Sequence, residues 1–138
     1  MQTLNYFFFY TYVGLVVLAG FWGAFLGADM DQELLLNLNT DALAETTRAN
    51  VLTQYRFLRA MELGFGLFAI VFRKEIFSIK KFNALYLVIM LGGVLARVVS
   101  LIDDGYPHWI FYFFLVYEGI GVLVIYLYSR KIVWQKTK

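Results

Sequence analysis

Hydrophobic positions dominate four stretches of this chain, and polar positions gather in the connections between them. Leu4 to Ala28 holds no ionisable side chain, a run longer than the roughly 20 apolar residues that cross a hydrocarbon core about 30 Å thick. Three further stretches qualify, about Tyr55 to Phe72, Phe82 to Ile102 and Trp109 to Tyr128, the first two interrupted by charge and the last by Glu118. The pattern predicts an all-α integral membrane protein, a four-helix transmembrane bundle forming one domain over residues 1–138, with spans at about 4–28, 55–72, 82–102 and 109–128 and a polar outer segment at 29–54.

The connections differ in kind. Asp29 to Gln54 is long and polar, Arg73 to Lys81 is a basic turn, and "DDGYPH", Asp103 to His108, is a tight one. Within the first, "NTDALAETTRANVLTQYRF" opens on Asn39 and Thr40, both good N-cap types, puts Asp41 in the first turn, and continues without Gly or Pro into the second span. That helix is expected to begin outside the membrane. The preceding "LLLNLN", Leu34 to Asn39, reads either as a re-entrant or interfacial piece over the outer mouth or as an irregular loop. Gly20, Gly23, Ala24 and Gly27 form a stripe of small residues on the first span. Such a stripe lets helices approach closely where no hydrophobic force drives them together, and its expected partner is another helix of the same bundle rather than a second copy.

Composition supports the membrane reading: 61% of residues are hydrophobic and 20% aromatic, against roughly 45–50% apolar in soluble domains. A cleavable signal peptide is disfavoured, because Met1 to Asn5 carries no Lys or Arg and the apolar run is longer than the usual h-region of about 7–15 residues. With no cysteine, disulfides, thiol redox chemistry and thiolate metal sites are excluded together.

Charge predicts orientation, since cytoplasmic loops hold the excess of Lys and Arg. Arg73, Lys74, Lys80 and Lys81 lie in the second connection, and Arg130, Lys131, Lys136 and Lys138 in the tail. The first connection has only Arg48 against Asp29, Asp31, Glu33, Asp41 and Glu45, and the third has Asp103 and Asp104 with no base. Both termini are expected on the cytoplasmic side of the membrane. The net charge of +2 averages two unlike faces and says nothing of nucleic acid.

Five charged side chains fall inside the spans: Arg56, Arg59 and Glu62 on the second, Arg97 on the third and Glu118 on the fourth. Each costs roughly 2.5–3.5 kcal/mol near mid-helix, so each is expected to face inward and find a partner. Counting at about 1.5 Å per residue from the basic ends puts Glu62 about 16 Å up, Glu118 about 18 Å, Arg59 about 21 Å, Arg97 about 24 Å and Arg56 about 25 Å. The heights suggest one charged layer. At about 100° per residue, Arg56, Arg59 and Glu62 share a sector with Leu63 and Gly66, while Gly93, Arg97, Ser100 and Asp104 share a face. The expected pairs are Glu118 with Arg97 or Arg56, and Arg59 with Glu62 along one helix. The arginine left over needs an acceptor: Asp103 or Asp104, a backbone carbonyl, the hydroxyl of Tyr55 or Tyr117, water, or a ligand.

Other chemistries fit poorly. His108 is the sole histidine, sits in the outer turn and reads as solvated, which leaves no His-rich metal or haem site and no buried base for a Ser-His-Asp relay. Glu62 and Glu118 lie among arginines that hold them ionised, which suits binding better than proton transfer. Gly64 to Gly66 and Gly119 to Gly121 lack the strand-turn-helix setting of a phosphate loop. The aromatic runs "YFFFYTY" and "HWIFYFF" read as belts at opposite membrane faces. No catalytic residue, metal or cofactor is implied.

"YRFLRAMELGFGLF", Tyr55 to Phe68, "LGGVLARVVSLIDDGYP", Leu91 to Pro107, and Glu118 together resemble a family of small bacterial membrane proteins known only as a domain of unknown function, within the DoxX-like group of four-helix membrane proteins. The resemblance covers roughly residues 50–128. It implies that the positions of Arg56, Arg97 and Glu118 are the recurring charged ones, whereas Arg59 and Glu62 look like additions. Some relatives in the wider group are similar to subunits of quinone-linked sulfur oxidation or thiol-stress complexes, and a distant animal one to a chaperone for nicotinic receptors. A binding or accessory role is implied more than an autonomous enzyme.

The function expected is binding of an amphiphile (lipid, quinone or fatty acid) at a buried Arg/Glu layer opening outward, with Arg56, Arg97, Glu118, Arg59, Glu62, Ser100, Tyr55 and Tyr117 as the site. The rival is an accessory or assembly protein that contacts a membrane-protein partner and whose ion network is purely structural. Oligomers are compatible with both. A transporter fits less well, because four short helices leave little room for alternating access.

Overall fold

The computed structural model describes residues 1–135; Lys136 and Lys138, counted above with the basic tail, lie outside the described residues. The fold is all-α, with no strand among the described residues. In chain order it runs α1 (Gln2–Phe21), a wider π turn (Trp22–Leu26), α2 (Ala28–Leu36), a 3-10 turn (Thr40–Ala42), α3 (Glu45–Val71), α4 (Arg73–Ile76), α5 (Lys80–Asp103), α6 (Trp109–Ser129) and a closing π turn (Arg130–Trp134). Among the described residues, three helical stretches, Gln2–Leu26, Lys80–Asp103 and Trp109–Trp134, are long and apolar enough to cross a membrane. At most 28% of any of these windows is buried within the protein, so Leu18, Val88 and Ile102 present their side chains outward, as lipid contact requires. The second expected span lies on α3, an unbroken 27-residue helix about 40 Å long. Its length suffices for a crossing, but Arg56, Arg59 and Glu62 reduce its apolarity.

The chain forms two compact units, Val13–Phe68 and Met1–Tyr12 with the chain from Ala69 onward. In the Val13–Phe68 unit, the first helix ends at Gly27 (φ −112°, ψ 25°), whose N–H reaches back to the Trp22 carbonyl at 2.9 Å. The next helix starts at once, with Asp29 and Asp31 in its first turn, where the helix dipole favours negative charge. It ends at Asn37, which adopts the left-handed conformation (φ 51°, ψ 32°) that Asn tolerates better than most residues. Leu34 to Leu36 are therefore the last turn of a helix, which removes the irregular-loop reading for that part of "LLLNLN".

The expected helix start at Asn39 and Thr40 is corrected. Asn39 does cap, its side-chain oxygen accepting from the Asp41 N–H at 3.0 Å, but the element capped is the short 3-10 turn. Leu43 is then extended (φ −84°, ψ 150°), and α3 begins at Glu45, ten residues before Tyr55. The small-residue stripe packs within this unit. A Cβ on Gly20 would lie 2.7 Å from the Leu63 nitrogen and 2.9 Å from the Arg59 carbonyl, and one on Gly23 would lie 2.6 Å from the Arg59 Cγ. Backbone contact of α1 with α3 at Gly20 needs the missing side chain.

In the other unit, α5 and α6 are joined by the tight turn, with Gly105 at φ +97°, a conformation in which other residues are strained. Phe9 is fully buried against Tyr86 and Phe77, its ring centroid 5.5 and 5.2 Å from theirs. Beside this core, the buried Asn83 donates to the Ser129 hydroxyl at 2.8 Å and accepts from the Trp134 indole N–H at 2.9 Å. This clamp holds the first turns of α5 to the end of α6, and nothing in the sequence reading singled it out.

Three outcomes follow for thermal unfolding in detergent. Gly20→Leu should destabilise the protein by about 1–3 kcal/mol or more, because backbone atoms cannot yield, whereas Gly64→Ala, with open space around its Cβ, should be neutral or stabilising by up to about 1 kcal/mol. Asn83→Ala should cost about 1–3 kcal/mol by orphaning the buried Ser129 hydroxyl and the half-buried Trp134 indole N–H.

Candidate functional site

The five charged residues within the expected spans are all partnered, four of them in two groups and Arg56 by itself on a backbone carbonyl, each contact lying within one unit. In the first, Arg97 of α5 meets Glu118 of α6 as a fork, Nε to Oε2 at 3.0 Å and Nη2 to Oε1 at 3.2 Å. The tight turn sets this register: Arg97 lies six residues before the end of α5 and Glu118 nine after the start of α6, so both sit on the order of 10 Å from the turn. Two parallel charge-assisted bonds fix both planes. The guanidinium also lies near Phe114 and Phe111, 5.6 and 5.9 Å from their ring centres, whose faces attract a cation. The Arg97 side chain is 31% exposed and that of Glu118 13%. Glu118 thus takes Arg97 of the two partners foreseen for it.

Ser100, one turn beyond Arg97, is half-buried, and Asp103 and Asp104 are exposed. Neither aspartate is ion-paired with a described cation. Tyr117 does not serve an arginine: its hydroxyl shares a short hydrogen bond with that of Thr11, and its ring stacks on Phe113 at 5.8 Å. His108, expected to be solvated, is half-buried beside Trp109, with ring centroids 5.7 Å apart.

The second group is larger than the sequence suggested. Tyr55 donates to Asp31 Oδ2 at 2.8 Å and accepts from Arg59 Nε at 2.8 Å, and Arg59 Nη1 donates to Glu62 Oε2 at 2.7 Å. Trp22 Nε1 donates to the other oxygen of Asp31 at 3.2 Å. Five side chains from three helical segments thereby form one relay. Glu62 was expected to face inward but is 45% exposed, while Arg59 is 19%. The turn spacing that places Arg59 against Tyr55, four residues back, leaves Glu62 at the edge of the helix face.

Arg56, the arginine left over in the count, has the backbone acceptor foreseen as one possibility: its Nη1 donates to the Ala24 carbonyl at 3.0 Å. Ala24 lies in the turn that ends at Gly27, where helix carbonyls lack intrahelical donors and the helix end is electronegative. Asp31 was missed as a member because it reads as part of the polar connection, and so was the cluster in which Arg48 Nη2 pairs with Asp29 at 3.0 Å and Asp41 at 3.3 Å. The only cue was the start of an acidic helix turn next to the end of the first span. Among the described residues, no group of three or more His, Cys, Asp or Glu is placed to hold a metal ion.

An all-helical chain with three helices able to cross a membrane, carrying paired charges on α3, α5 and α6, is the class that fold and site define. The chain belongs to the family described as Domain of unknown function (DUF4345), whose model matches residues 6–129. No curated protein and no solved structure matches it.

The fork has an energetic signature. Glu118→Gln should destabilise the protein by about 1–3 kcal/mol in detergent unfolding, less than for a fully buried pair because Arg97 keeps some exposure. Adding Arg97→Gln should recover part of that loss; strictly additive losses would mean the two do not act as a pair.

Proposed function

We propose that this chain is an integral membrane protein that binds the oxygen-bearing head of a small amphiphile, a lipid, quinone or fatty acid, at Arg97. The observation that carries the proposal is the state of the guanidinium. Nε and Nη2 are held by Glu118, Nη1 has no acceptor among the described residues, and the side chain is 31% exposed. In a hydrocarbon setting, free donors of a cation draw in whatever acceptor can reach them. Glu118 supplies the counter-charge and the orientation, Phe111 and Phe114 wall the head group, and Ser100 continues the same face toward the outer turn. The reading assigns no reaction to these residues.

In this proposal α3 is the fourth span of a four-helix bundle in a bacterial inner membrane, as in the DoxX-like group, and both termini are cytoplasmic. Support for the orientation is the contrast between Arg73, Lys74, Lys80, Lys81, Arg130 and Lys131 at one set of helix ends and the acids of residues 29–45 and 103–104 at the other. A second reading, an accessory or assembly protein, draws support from the relay of Asp31, Tyr55, Arg59 and Glu62, in which each side chain already has a partner and a structural role suffices.

Two experiments address these proposals. The protein purified from a bacterial membrane should retain a specific amphiphile in native mass spectrometry, and Arg97→Ala should lose it while staying folded; equal retention by the variant would refute the site. Because the chain lacks cysteine, single cysteines at Lys74 and Tyr106 report topology directly. A membrane-impermeant thiol reagent applied from outside should label the second and spare the first.

A further inference from the structure

A groove of about 310 Å³ runs between α5 and α6, lined by Leu87, Val88 and Leu91 on one side and Gly119, Leu123 and Tyr126 on the other. Its floor is open at Gly119: beyond its own turn of helix, no atom lies within 4 Å of the position a Cβ would take there. The charges at one end of the groove distinguish it from a merely lipid-facing surface. Lys81 precedes Val88 by seven residues and Arg130 follows Leu123 by seven. At about 100° per residue each lies within about 20° of the groove's own stripe on its helix. Both are exposed, and neither is paired with an acid among the described residues. Lys80, also exposed and seven residues before Leu87, is engaged over the Trp134 ring at 4.6 Å, so Lys81 is the lysine with neither a ring nor an acid partner among the described residues.

From these positions we infer that the α5–α6 groove seats an anionic phospholipid, one acyl chain lying over Gly119 and the phosphate held between Lys81 and Arg130. The vertical spacing suits such a molecule. Lys81 lies about 9 Å below Leu87 and Arg130 about 6 Å below Tyr126, so the cations stand where the apolar lining gives way to the interface. Basic residues between helix ends attract acidic head groups there. The Tyr126 ring lies between chain and head group, an amphipathic side chain at the depth where such rings are favoured. This site is separate from the one proposed at Arg97, which lies nearly opposite Lys81 and Val88 around the axis of α5.

The test uses the full chain in neutral detergent, incubated with phosphatidylglycerol or with phosphatidylcholine of the same acyl chains and read by native mass spectrometry. Wild type should retain the anionic lipid several-fold over the zwitterionic one, and added salt should reduce that preference. Lys81→Gln with Arg130→Gln should bring the ratio to about one, while Lys74→Gln with Lys131→Gln should leave it intact. Gly119→Leu, which fills the groove without meeting any neighbour at its Cβ, should lower retention of both lipids. A preference absent in wild type, or equally reduced by the Lys74 and Lys131 pair, would overturn the proposal, as would retention unchanged by Gly119→Leu. Arg97→Ala should leave the preference in place, so a failure here and a failure at Arg97 are read separately.

Discussion

The fork between Arg97 and Glu118 joins α5 to α6, two helices long and apolar enough to cross a membrane, at a polar point within their apolar length. Either residue alone would be a partly buried ion without its counter-charge. Together, and with two aromatic faces beside the guanidinium, they form a neutral unit whose planar geometry allows one arrangement. The tight turn at Asp103 to His108 brings the two residues to one level, and the Asn83 clamp does the same work at the other end of the helix pair. Between these two polar ties the helices present mostly apolar side chains outward, and a groove stays open over Gly119.

The same constraint shapes the Val13–Phe68 unit by different means. Here the answer to an unmatched arginine is a helix end. Termination at Gly27 frees the Ala24 carbonyl, and Arg56 takes it. Termination also places Asp31 where Tyr55 and Trp22 can reach it, and the Tyr55 hydroxyl in turn positions Arg59. The close approach of α1 to α3 at Gly20 is what allows such short bridges between a helix end and the middle of another helix. One helix end thus supplies both a neutral acceptor and an anionic one.

Much of this was legible beforehand. Uncharged or nearly uncharged runs announce helices of spanning length, because periodicity is unnecessary where every face meets apolar surroundings. The spacing of Arg59 and Glu62 announced their pair, because residues three apart share a helix face. Glu118 was foreseen with either of two arginines. The Gly20 to Gly27 stripe was foreseen as an intrachain packing face, and Gly20 and Gly23 do meet α3. Less legible were contributions from segments that read as plain connections: α2 hidden in the polar segment, Asp31 within it, and a cap at Asn39 that serves a 3-10 turn. Local propensity recognises a capping residue but does not say how long the capped element will be.

The sequence by itself determined the all-helical character, the positions of the apolar helices and the identity of the charges that had to find partners, because each follows from hydrocarbon solubility and from spacing along one helix. Only the tertiary structure decided which partner each charge took. Glu118 met Arg97 because a short turn set the register of two helices, Arg56 met a carbonyl because a helix ended beside it, and Tyr117 turned to Thr11 rather than to an arginine. Those outcomes depend on distances between residues remote in the chain, which no count along a single helix contains.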